Sequence, residues 1–403
     1  MQVFKENKAL VIWFLLASLV SIIGYYSPIN ANFSSNEIQQ DTLIHFTFKA
    51  EQRQKLNDLF TNLNKHQDFN GVVLVGQSDS IFYSGAFGHA NYAIGDSLSL
   101  QSSFQLASVS KQFTAVAILQ LYEKELLDLH DTIQCFFPNF PYKNITIHQL
   151  LVHRGGLANY HYFFQHIPTT ADTIISNLDV VNEMIEKKPE AYYSPNKRYH
   201  YSNTGYAILA AIVEKVSGKS FQDYIKENIF KPLNMQNSFA YRGSDDENIE
   251  NKTIGYLHHW RKAEDNYLDG VLGDKGIYCS AEDLFKWDQG LYNNIIINFD
   301  TLNLAFHPMG KPSFFKANYG YGWRMLNWGN DTTKVLFHAG WWHGYKTLLL
   351  RIPKDKTSII ILNNRSSGAM TRTKTLLNLL YPQQTEKKDS VKQDSISLVS
   401  SLM

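Results

Sequence analysis

The strand-like segments of this chain lie near its two ends, and the long stretch between them is typical of helices and loops. Residues 71–75 and 80–84 are rich in β-branched and aromatic side chains, and a short turn-like segment separates them. Residues 347–352 and 357–362 form a similar pair close to the other end. We therefore predict an α/β (α+β) fold, with an antiparallel sheet flanked by helices, built from both chain ends, and an inserted, mostly helical subdomain.

Helical periodicity extends this pattern outwards from the strands. Residues 50–63 precede the first strand and residues 371–380 follow the last one, each with apolar side chains at helical spacing. We expect one folded domain over residues 48–382. The polar, Asn- and Ser-rich residues 32–47 are predicted to be a linker, and the polar tail 383–403 is predicted to be disordered.

The N-terminal segment carries an export pattern. Lys5 and Lys8 precede an apolar run over residues 9–26. This run is long for a cleaved signal and near the lower limit for a spanning helix. Residues 1–31 are therefore predicted to be either a signal peptide or a membrane anchor. Both alternatives place the domain in the periplasm or the cell envelope, and the second attaches it to the inner membrane.

The overall composition excludes several classes of protein. The 403 residues are 44% hydrophobic with a formal net charge of +1, so the chain has enough apolar residues for a large core and no basic footprint for nucleic acid. Cys135 and Cys279 are too few for a disulfide framework and lack metal-ligand spacing. We interpret them as two small buried hydrophobic residues, and whether they pair is left open. No metal and no cofactor are predicted.

The segment from Ser108 to Lys111 carries the strongest chemical signal. A serine hydroxyl needs a nearby base to become a nucleophile. Positions i and i+3 of a helix share a face, so this spacing directs the lysine amine to the serine hydroxyl. An apolar helical run, residues 112–122, follows directly. The same Ser-x-x-Lys spacing at 194–197 and 313–316 has no such helix behind it.

Two further motifs follow in order, and each is weak when taken alone. They are Tyr201-Ser202-Asn203 and His338-Ala339-Gly340. Together with Ser108 and Lys111 they resemble the motif set of the serine β-lactamase and penicillin-binding protein superfamily. The Tyr-x-Asn form is similar to class C β-lactamases, D-Ala-D-Ala carboxypeptidases and related esterases. Three flanking segments strengthen the likeness, which covers roughly residues 48–380; these segments are 150–157, 199–206 and 273–284.

The resemblance implies a β-lactamase/transpeptidase-like fold and a catalytic role for three residues. Ser108 would attack the carbonyl carbon and carry the acyl group. Lys111 would help to deprotonate the Ser108 hydroxyl. Tyr201 would act as a general base, directly or through a relay with Lys111. Which of Lys111 and Tyr201 takes the proton is left open.

The resemblance also implies four substrate-binding positions. Asn203 would hold both Lys111 and the substrate amide by hydrogen bonds. The backbone N–H groups of Ser108 and Trp341 would form the oxyanion hole, and Gly340 leaves room for close approach of the ligand. His338 occupies a position where the better-known pattern has lysine. A neutral histidine weakens the case for efficient β-lactam hydrolysis and leaves room for an uncharged ester.

A second departure from the family pattern lies in the glycine-rich segment 273–284. Asp274 and Lys275 interrupt it. We expect Lys275 to be an exposed lysine of a turn rather than a source of positive charge in the pocket.

The sequence therefore predicts an exported serine hydrolase that acts through an acyl-serine intermediate on amide or ester bonds. D-Ala-D-Ala-type peptides and β-lactams are the leading substrates, so the expected partner is a small-molecule or peptidoglycan-derived substrate and not a nucleic acid. The alternatives are a small-molecule esterase and a penicillin-binding sensor that is acylated without turnover. The oligomeric state is left open.

Overall fold

The computed structural model describes residues 48–165, 173–243, 249–308, 318–328, 333–366 and 373–382. The predicted export segment, linker and C-terminal tail lie outside these residues. The Ser-x-x-Lys spacing at 313–316 also lies outside them.

Among the described residues, the principal sheet has seven strands, and every neighbouring pair is antiparallel. Its order is β2-β1-β12-β11-β10-β9-β8, so the N-terminal hairpin joins the C-terminal strands through the β1–β12 pair. The prediction of a sheet assembled from both chain ends is confirmed. The strands of this sheet are β1 Gly71–Gln77, β2 Ser80–Phe87, β8 Asn318–Tyr319, β9 Arg324–Trp328, β10 Thr333–Trp342, β11 Tyr345–Ile352 and β12 Thr357–Asn363.

Helices and two small sheets make up the rest of the described chain. One small sheet pairs β3 with β4, and the other has the order β5-β7-β6. These strands are β3 His89–Asn91, β4 Asp96–Ser97, β5 Phe104–Gln105, β6 Ser238–Ala240 and β7 Ile277–Cys279. The α-helices are α1 Ala50–Lys65, α2 Ser110–Glu123, α3 Ile133–Phe136, α4 Ile147–Leu151, α5 Asn177–Lys187, α6 Asn203–Ser217, α7 Phe221–Ile225, α8 Ala281–Gly290, α9 Phe299–Asn303 and α10 Thr373–Leu380.

The central strands β1, β11 and β12 are buried on both faces, which explains why they are nearly continuous apolar runs. Successive side chains of a strand point to opposite faces. On β1, Val72 and Leu74 belong to the core shared with the inserted helices. Val73 and Val75 belong to a second core, where α1 and α10 cover the other face.

Helix α2 is the central element of the inserted region. Its residues from Ser110 to Leu121 are all buried. A helix that is apolar all round has to be enclosed by other elements, in agreement with the sequence of this segment. It begins two residues after Ser108, so the position of Ser108 is tied to a fully enclosed helix of the fold.

The two cysteines differ in their surroundings. Cys279 is buried on β7, whereas Cys135 is exposed on α3, and both thiols are free. The interpretation of two buried hydrophobic residues is therefore correct for Cys279 and wrong for Cys135.

A buried ion pair connects helix α8 to the sheet. The Nε atom of Arg351 on β11 lies 3.1 Å from Oδ1 of Asp288 on α8, and both side chains are almost fully buried. Ser358 on β12 donates a hydrogen bond to the same carboxylate. Removal of one partner would leave an uncompensated buried charge.

We predict that Arg351→Met lowers the free energy of unfolding by about 3–5 kcal/mol, because the buried Asp288 carboxyl group would lose the partner that offsets the cost of its burial. Urea denaturation measures this change. The matched control is Lys262→Met, which breaks the exposed Lys262–Glu264 pair and should cost less than about 1 kcal/mol. Equal losses in the two variants would contradict the assignment.

Candidate active site

Ser108, the predicted nucleophile, lies in a tight turn that adjoining strands hold in place. Residues Ala107–Val109 form a 3-10 turn, and Ala107 has a positive φ of 49°. A non-glycine residue in this conformation is strained and persists where its surroundings fix it. Just before the turn, the carbonyl of Leu106 accepts a 2.7 Å hydrogen bond from Thr347 Oγ1. The Leu106 N–H donates to the Ile277 carbonyl, also at 2.7 Å. Strands β11 and β7 thus fix Ser108 at the head of α2.

Lys111 lies one turn into α2 and is fully buried. Its Nζ atom is 3.1 Å from Ser108 Oγ and donates a 2.9 Å hydrogen bond to the backbone carbonyl of Asp274. Burial lowers the pKa of the amine to about 7; the Asp274 carboxylate opposes this shift and the Arg324 charge adds to it. A large fraction of Lys111 is therefore neutral near pH 7, and a neutral amine in contact with a serine hydroxyl can accept its proton.

Tyr201 immediately precedes α6, whose N-cap is Ser202. The Lys111 Nζ atom lies 5.0 Å from the centroid of the Tyr201 ring. Burial raises the pKa of the Tyr201 phenol, and a hydrogen bond with Ser108 and the Arg324 charge only partly oppose this. The phenol is therefore protonated at neutral pH.

His153 fixes the Tyr201 segment from below, a role that sequence reasoning missed. Its Nδ1 accepts a 3.1 Å hydrogen bond from the Ser202 N–H, and its carbonyl accepts a 2.9 Å bond from the His200 N–H. The His153 and Tyr201 ring centroids are 4.3 Å apart. Burial holds the pKa of His153 well below its usual range, so the ring stays neutral and keeps its acceptor nitrogen.

Asn203 is the first residue of α6 and does not make the hydrogen bond to Lys111 that we expected. The Lys111 amine donates a hydrogen bond to the backbone carbonyl of Asp274 instead. The Asn203 Oδ1 atom is buried, and within the described part of the chain it has no hydrogen-bond partner. A buried acceptor without a donor is costly, so a ligand N–H group would be favoured there.

Gly340 lets β10 run directly against the nucleophile turn. A Cβ atom at this position would lie 2.1 Å from the Leu106 carbonyl oxygen and 2.4 Å from Thr347 Oγ1. Trp341, the next residue, has 57% of its surface exposed. The backbone of β10 therefore passes beside Ser108, while the Trp341 side chain faces solvent at the edge of the site.

His338 lies inside the fold and not on a substrate-binding surface. It is 1% exposed, with Nε2 3.0 Å from the Tyr319 hydroxyl and Nδ1 2.8 Å from the Ala339 carbonyl oxygen. Burial holds its pKa well below the usual range. Because both ring nitrogens have partners within the protein, the expectation of direct substrate binding by His338 is not supported by this geometry.

Arg324 on β9 is a positive charge of the site that the sequence did not reveal. Its Cζ atom lies 5.5 Å from the centroid of the Tyr201 ring and 5.9 Å from that of Tyr319. The side chain is partly exposed. A single arginine on a short strand matches no sequence motif. The pairing of β9 with β10 brings Arg324 next to Tyr201.

Lys275 is buried, so the expectation of an exposed turn lysine was wrong. It is 3% exposed, and its Nζ atom donates hydrogen bonds to the Tyr160 hydroxyl at 2.7 Å and the Val271 carbonyl at 3.2 Å. The turn is folded into the protein beneath Lys111. Within this turn, the Asp274 carboxylate lies 3.5 Å from the Lys275 amine.

One group of side chains near the β10–β11 turn has the composition of a metal site. The ligand atoms of Asp265, Asp269 and His343 all lie within 4.8 Å of one another. Their polar atoms already have partners, because Asp269 accepts from Trp342 Nε1 and is paired with His343 Nε2, both at 2.9 Å. Asp265 accepts a 2.6 Å hydrogen bond from the Tyr241 hydroxyl. We interpret this group as a hydrogen-bonded cluster that supports the turn.

The site and the sheet together are those of the serine hydrolases with β-lactamase architecture, and the sequence agrees. The Beta-lactamase family profile matches residues 56–381. The chain therefore belongs to the beta-lactamase family. Penicillin-binding protein 4* of Bacillus subtilis (strain 168) is 35% identical to it over 331 residues, which cover 79% of this chain and 73% of that protein. The resemblance inferred from the motifs is confirmed.

Solved structures with the same fold support this placement. A penicillin-binding protein from Bacillus halodurans matches with a TM-score of 0.68 and 25% identity, over 77% of this chain and 95% of that one. The D-amino acid amidase from Ochrobactrum anthropi SV3 matches with a TM-score of 0.67 and 20% identity, over 81% and 97%. The second likeness shows the fold alone.

None of the helices among the described residues combines the length and the apolar character that crossing a bilayer requires. The segment predicted to direct export, residues 1–31, lies outside the described part of the chain.

We predict that Gly340→Ala reduces the rate of Ser108 acylation by about 100-fold or more, the scale of losing one oxyanion donor. The new methyl group would overlap the Leu106 carbonyl and push β10 away from the nucleophile. Stopped-flow acylation by a chromogenic ester measures the rate.

The matched control for this variant is Gly205→Ala in α6. A Cβ atom there meets only ordinary contacts, the nearest at 3.5 Å from the Leu150 carbonyl oxygen. This variant should keep acylation within about twofold of the wild type, because nothing has to move. A Gly340→Ala protein as active as this control would show that β10 does not contribute to the reaction.

Proposed function

We propose that this protein is a serine hydrolase that forms an acyl-Ser108 intermediate with amide or ester substrates, foremost peptides ending in D-Ala-D-Ala. The observation that carries the proposal is the buried Lys111 amine, 3.1 Å from Ser108 Oγ and with a pKa lowered by burial to about 7. Lysine in a structural role rarely gives up its hydration without an anionic partner in direct contact. Here the direct contacts are a hydroxyl and a carbonyl.

In the proposed reaction, Ser108 Oγ forms a bond to the substrate carbonyl carbon while its proton passes to neutral Lys111. The carbonyl oxygen becomes an oxyanion and accepts hydrogen bonds from the N–H groups of Ser108 and Trp341. The proton then moves through the Tyr201 hydroxyl to the leaving nitrogen or oxygen as its bond to carbon breaks. Water reverses the sequence: it adds to the ester, loses its proton to the same groups, and Ser108 leaves with a proton.

Two features favour a peptide with a free carboxylate as the substrate. Arg324 supplies a positive charge beside Tyr201, and a guanidinium is suited to a carboxylate because it presents paired donors. The Asn203 Oδ1 atom is a buried acceptor that would take a substrate amide N–H. Penicillins carry a comparable amide and carboxylate, so they would enter the same site as slow substrates or inhibitors.

An esterase for uncharged substrates is the second candidate. The neutral, buried His338 favours it, because the position that carries lysine in the better-known pattern offers no charge here. The charge of Arg324 favours the peptide substrate instead. A penicillin-binding sensor without turnover is the third candidate, and the presence of Tyr201 beside Lys111 speaks against it because deacylation needs a group that can activate water.

We further propose that the protein is exported. The support is the sequence pattern of Lys5 and Lys8 followed by the apolar run over residues 9–26. A cell-wall peptide would be accessible only outside the cytoplasmic membrane. Cleavage of residues 1–31 and their retention as an anchor remain alternatives, and the N-terminal sequence of the protein isolated from cell envelopes decides between them.

We predict that a fluorescent penicillin forms an adduct with the full-length protein and that Ser108→Ala forms none. Intact mass spectrometry over time measures both formation and decay. An adduct that decays supports hydrolysis, and one that persists supports the sensor. An adduct that forms equally on Ser108→Ala would overturn the catalytic assignment.

A second prediction concerns the C-terminal carboxylate of the proposed peptide substrate. Arg324→Gln should lower kcat/KM about 10- to 100-fold for an N-acylated peptide ending in D-Ala-D-Ala, since a charged hydrogen bond contributes roughly 1.5–3 kcal/mol. The same peptide with a C-terminal amide should lose much less. Arg53→Gln on α1, at the opposite face of the sheet, is the control and should change neither value. Equal losses for both peptides would show that Arg324 does not bind the carboxylate.

A further inference from the structure

A buried ion pair lies directly beneath the catalytic lysine. The Lys275 Nζ and Asp274 Oδ1 atoms are 3.5 Å apart, and the two side chains are only 4% and 2% exposed. Tyr160 connects them, because its hydroxyl accepts from Lys275 Nζ at 2.7 Å and donates to Asp274 Oδ2 at 3.2 Å. Neither charged group reaches the pocket surface, so the pair does not bind substrate directly.

The backbone of Asp274 places this pair at a fixed position relative to Lys111. Its carbonyl accepts the 2.9 Å hydrogen bond from the Lys111 amine. The preceding residue, Gly273, is locked between helices: its carbonyl accepts a 2.7 Å bond from Thr114 Oγ1, and a Cβ atom there would lie 2.1 Å from the Tyr206 carbonyl oxygen. The same residue therefore holds the amine by its backbone and presents a carboxylate behind it.

A buried ion pair is a poor way to gain stability. Desolvation of the two charges offsets most of their attraction, and apolar side chains of similar size often serve equally well. A pair whose Asp274 member also binds the Lys111 amine through its backbone carbonyl has a second possible use. In a region of low polarizability, charges of this kind act strongly on their neighbours.

We infer that the Asp274–Lys275 pair balances the charge behind Lys111 and thereby sets the pH above which the amine accepts the Ser108 proton. The Asp274 carboxylate favours the protonated form of Lys111, and the positive charge of Lys275 acts in the opposite direction. Both are positioning residues, since neither touches the reacting atoms. The inference rests on the proposed role of Lys111 as the base for Ser108.

The directions of the pKa shifts agree with this account. The Asp274 carboxylate raises the pKa of Lys111 against the larger effect of burial. Burial lowers the pKa of Lys275, Asp274 raises it, and the charge of Lys111 lowers it again. The titratable or charged groups that surround Lys111 are Asp274 and Lys275 before β7, Arg324 on β9, His338 on β10, His153 and His161 in the loops after α4, and Tyr201 and Tyr206 at the start of α6.

The test is the pH dependence of acylation in charge-altered variants of the full-length protein. The variants are Lys275→Met, Asp274→Asn and the double variant. The probe is a fluorescent penicillin or, where it forms no adduct, p-nitrophenyl butyrate. The midpoint of the acid limb of the acylation rate reports the pH at which the base loses its proton.

The expected shifts have opposite signs. Lys275→Met leaves the Asp274 charge uncompensated and favours protonated Lys111, so the midpoint should rise by about one pH unit. Asp274→Asn removes a negative charge and should move the midpoint to lower pH. The double variant removes both charges and should return towards the wild-type midpoint near 7.

Two control variants separate charge from packing. Lys275→Arg keeps the positive charge and should restore the wild-type midpoint. Tyr160→Phe removes the hydroxyl between the two groups without any change of charge, so it should lower stability in urea while leaving the midpoint within a few tenths of a unit. The three charge-altered variants are independent tests, so the failure of one to fold leaves the others decisive.

The outcomes separate the two proposals. Ser108-dependent acylation with midpoints that stay together in every variant would overturn this inference and leave the proposed function intact. Wild-type protein that shows no Ser108-dependent acylation with either probe would overturn the proposed function and this inference with it. Opposite shifts in the two single variants would establish the charge balance.

Discussion

The burial of a primary amine beside a serine hydroxyl is the constraint on which the rest of this structure depends. A lysine in water keeps its proton at neutral pH and cannot act as a base. Full enclosure of Lys111 lowers the pKa of its amine to about 7. In the proposed reaction, the neutral amine accepts the proton of the neighbouring Ser108 hydroxyl. The cost of this burial explains the position of α2 within the fold. A lysine near the surface would be solvated, so its helix has to be enclosed on every side.

The architecture achieves this enclosure by joining distant parts of the chain around one helix terminus. Strands β10 and β11 come from the C-terminal half and pack against the turn that carries Ser108. The segment with Asp274 holds the amine from below, while Tyr201 covers it from the start of α6. Each contact joins residues far apart in the sequence. The site therefore depends on long-range packing of the C-terminal strands and the inserted segments around the N-terminus of α2.

The sequence predicted the features that have a local signature. Runs of β-branched and apolar residues located the strands at both ends, helical periodicity located the flanking helices, and the Ser-x-x-Lys and Tyr-x-Asn spacings located Ser108 and Tyr201. The features it missed depend on long-range packing. Arg324 reaches the site only because β9 pairs with β10, and Lys275 looked exposed because a charged Gly-rich turn usually is. His338 was expected to bind substrate because the motif gives its position in the chain and not the depth at which its strand lies.

The measurement that tests the central claim most directly is the ionisation of Lys111 itself. Full-length protein labelled with 13C at the lysine ε carbons is titrated by NMR, and Lys111→Arg identifies the signal. We expect a midpoint near pH 7, because burial disfavours the charged amine. A midpoint near 10.5, the ordinary lysine value, would contradict the account. In that case Lys111 would remain charged throughout the working range, and Ser108 would need a different base.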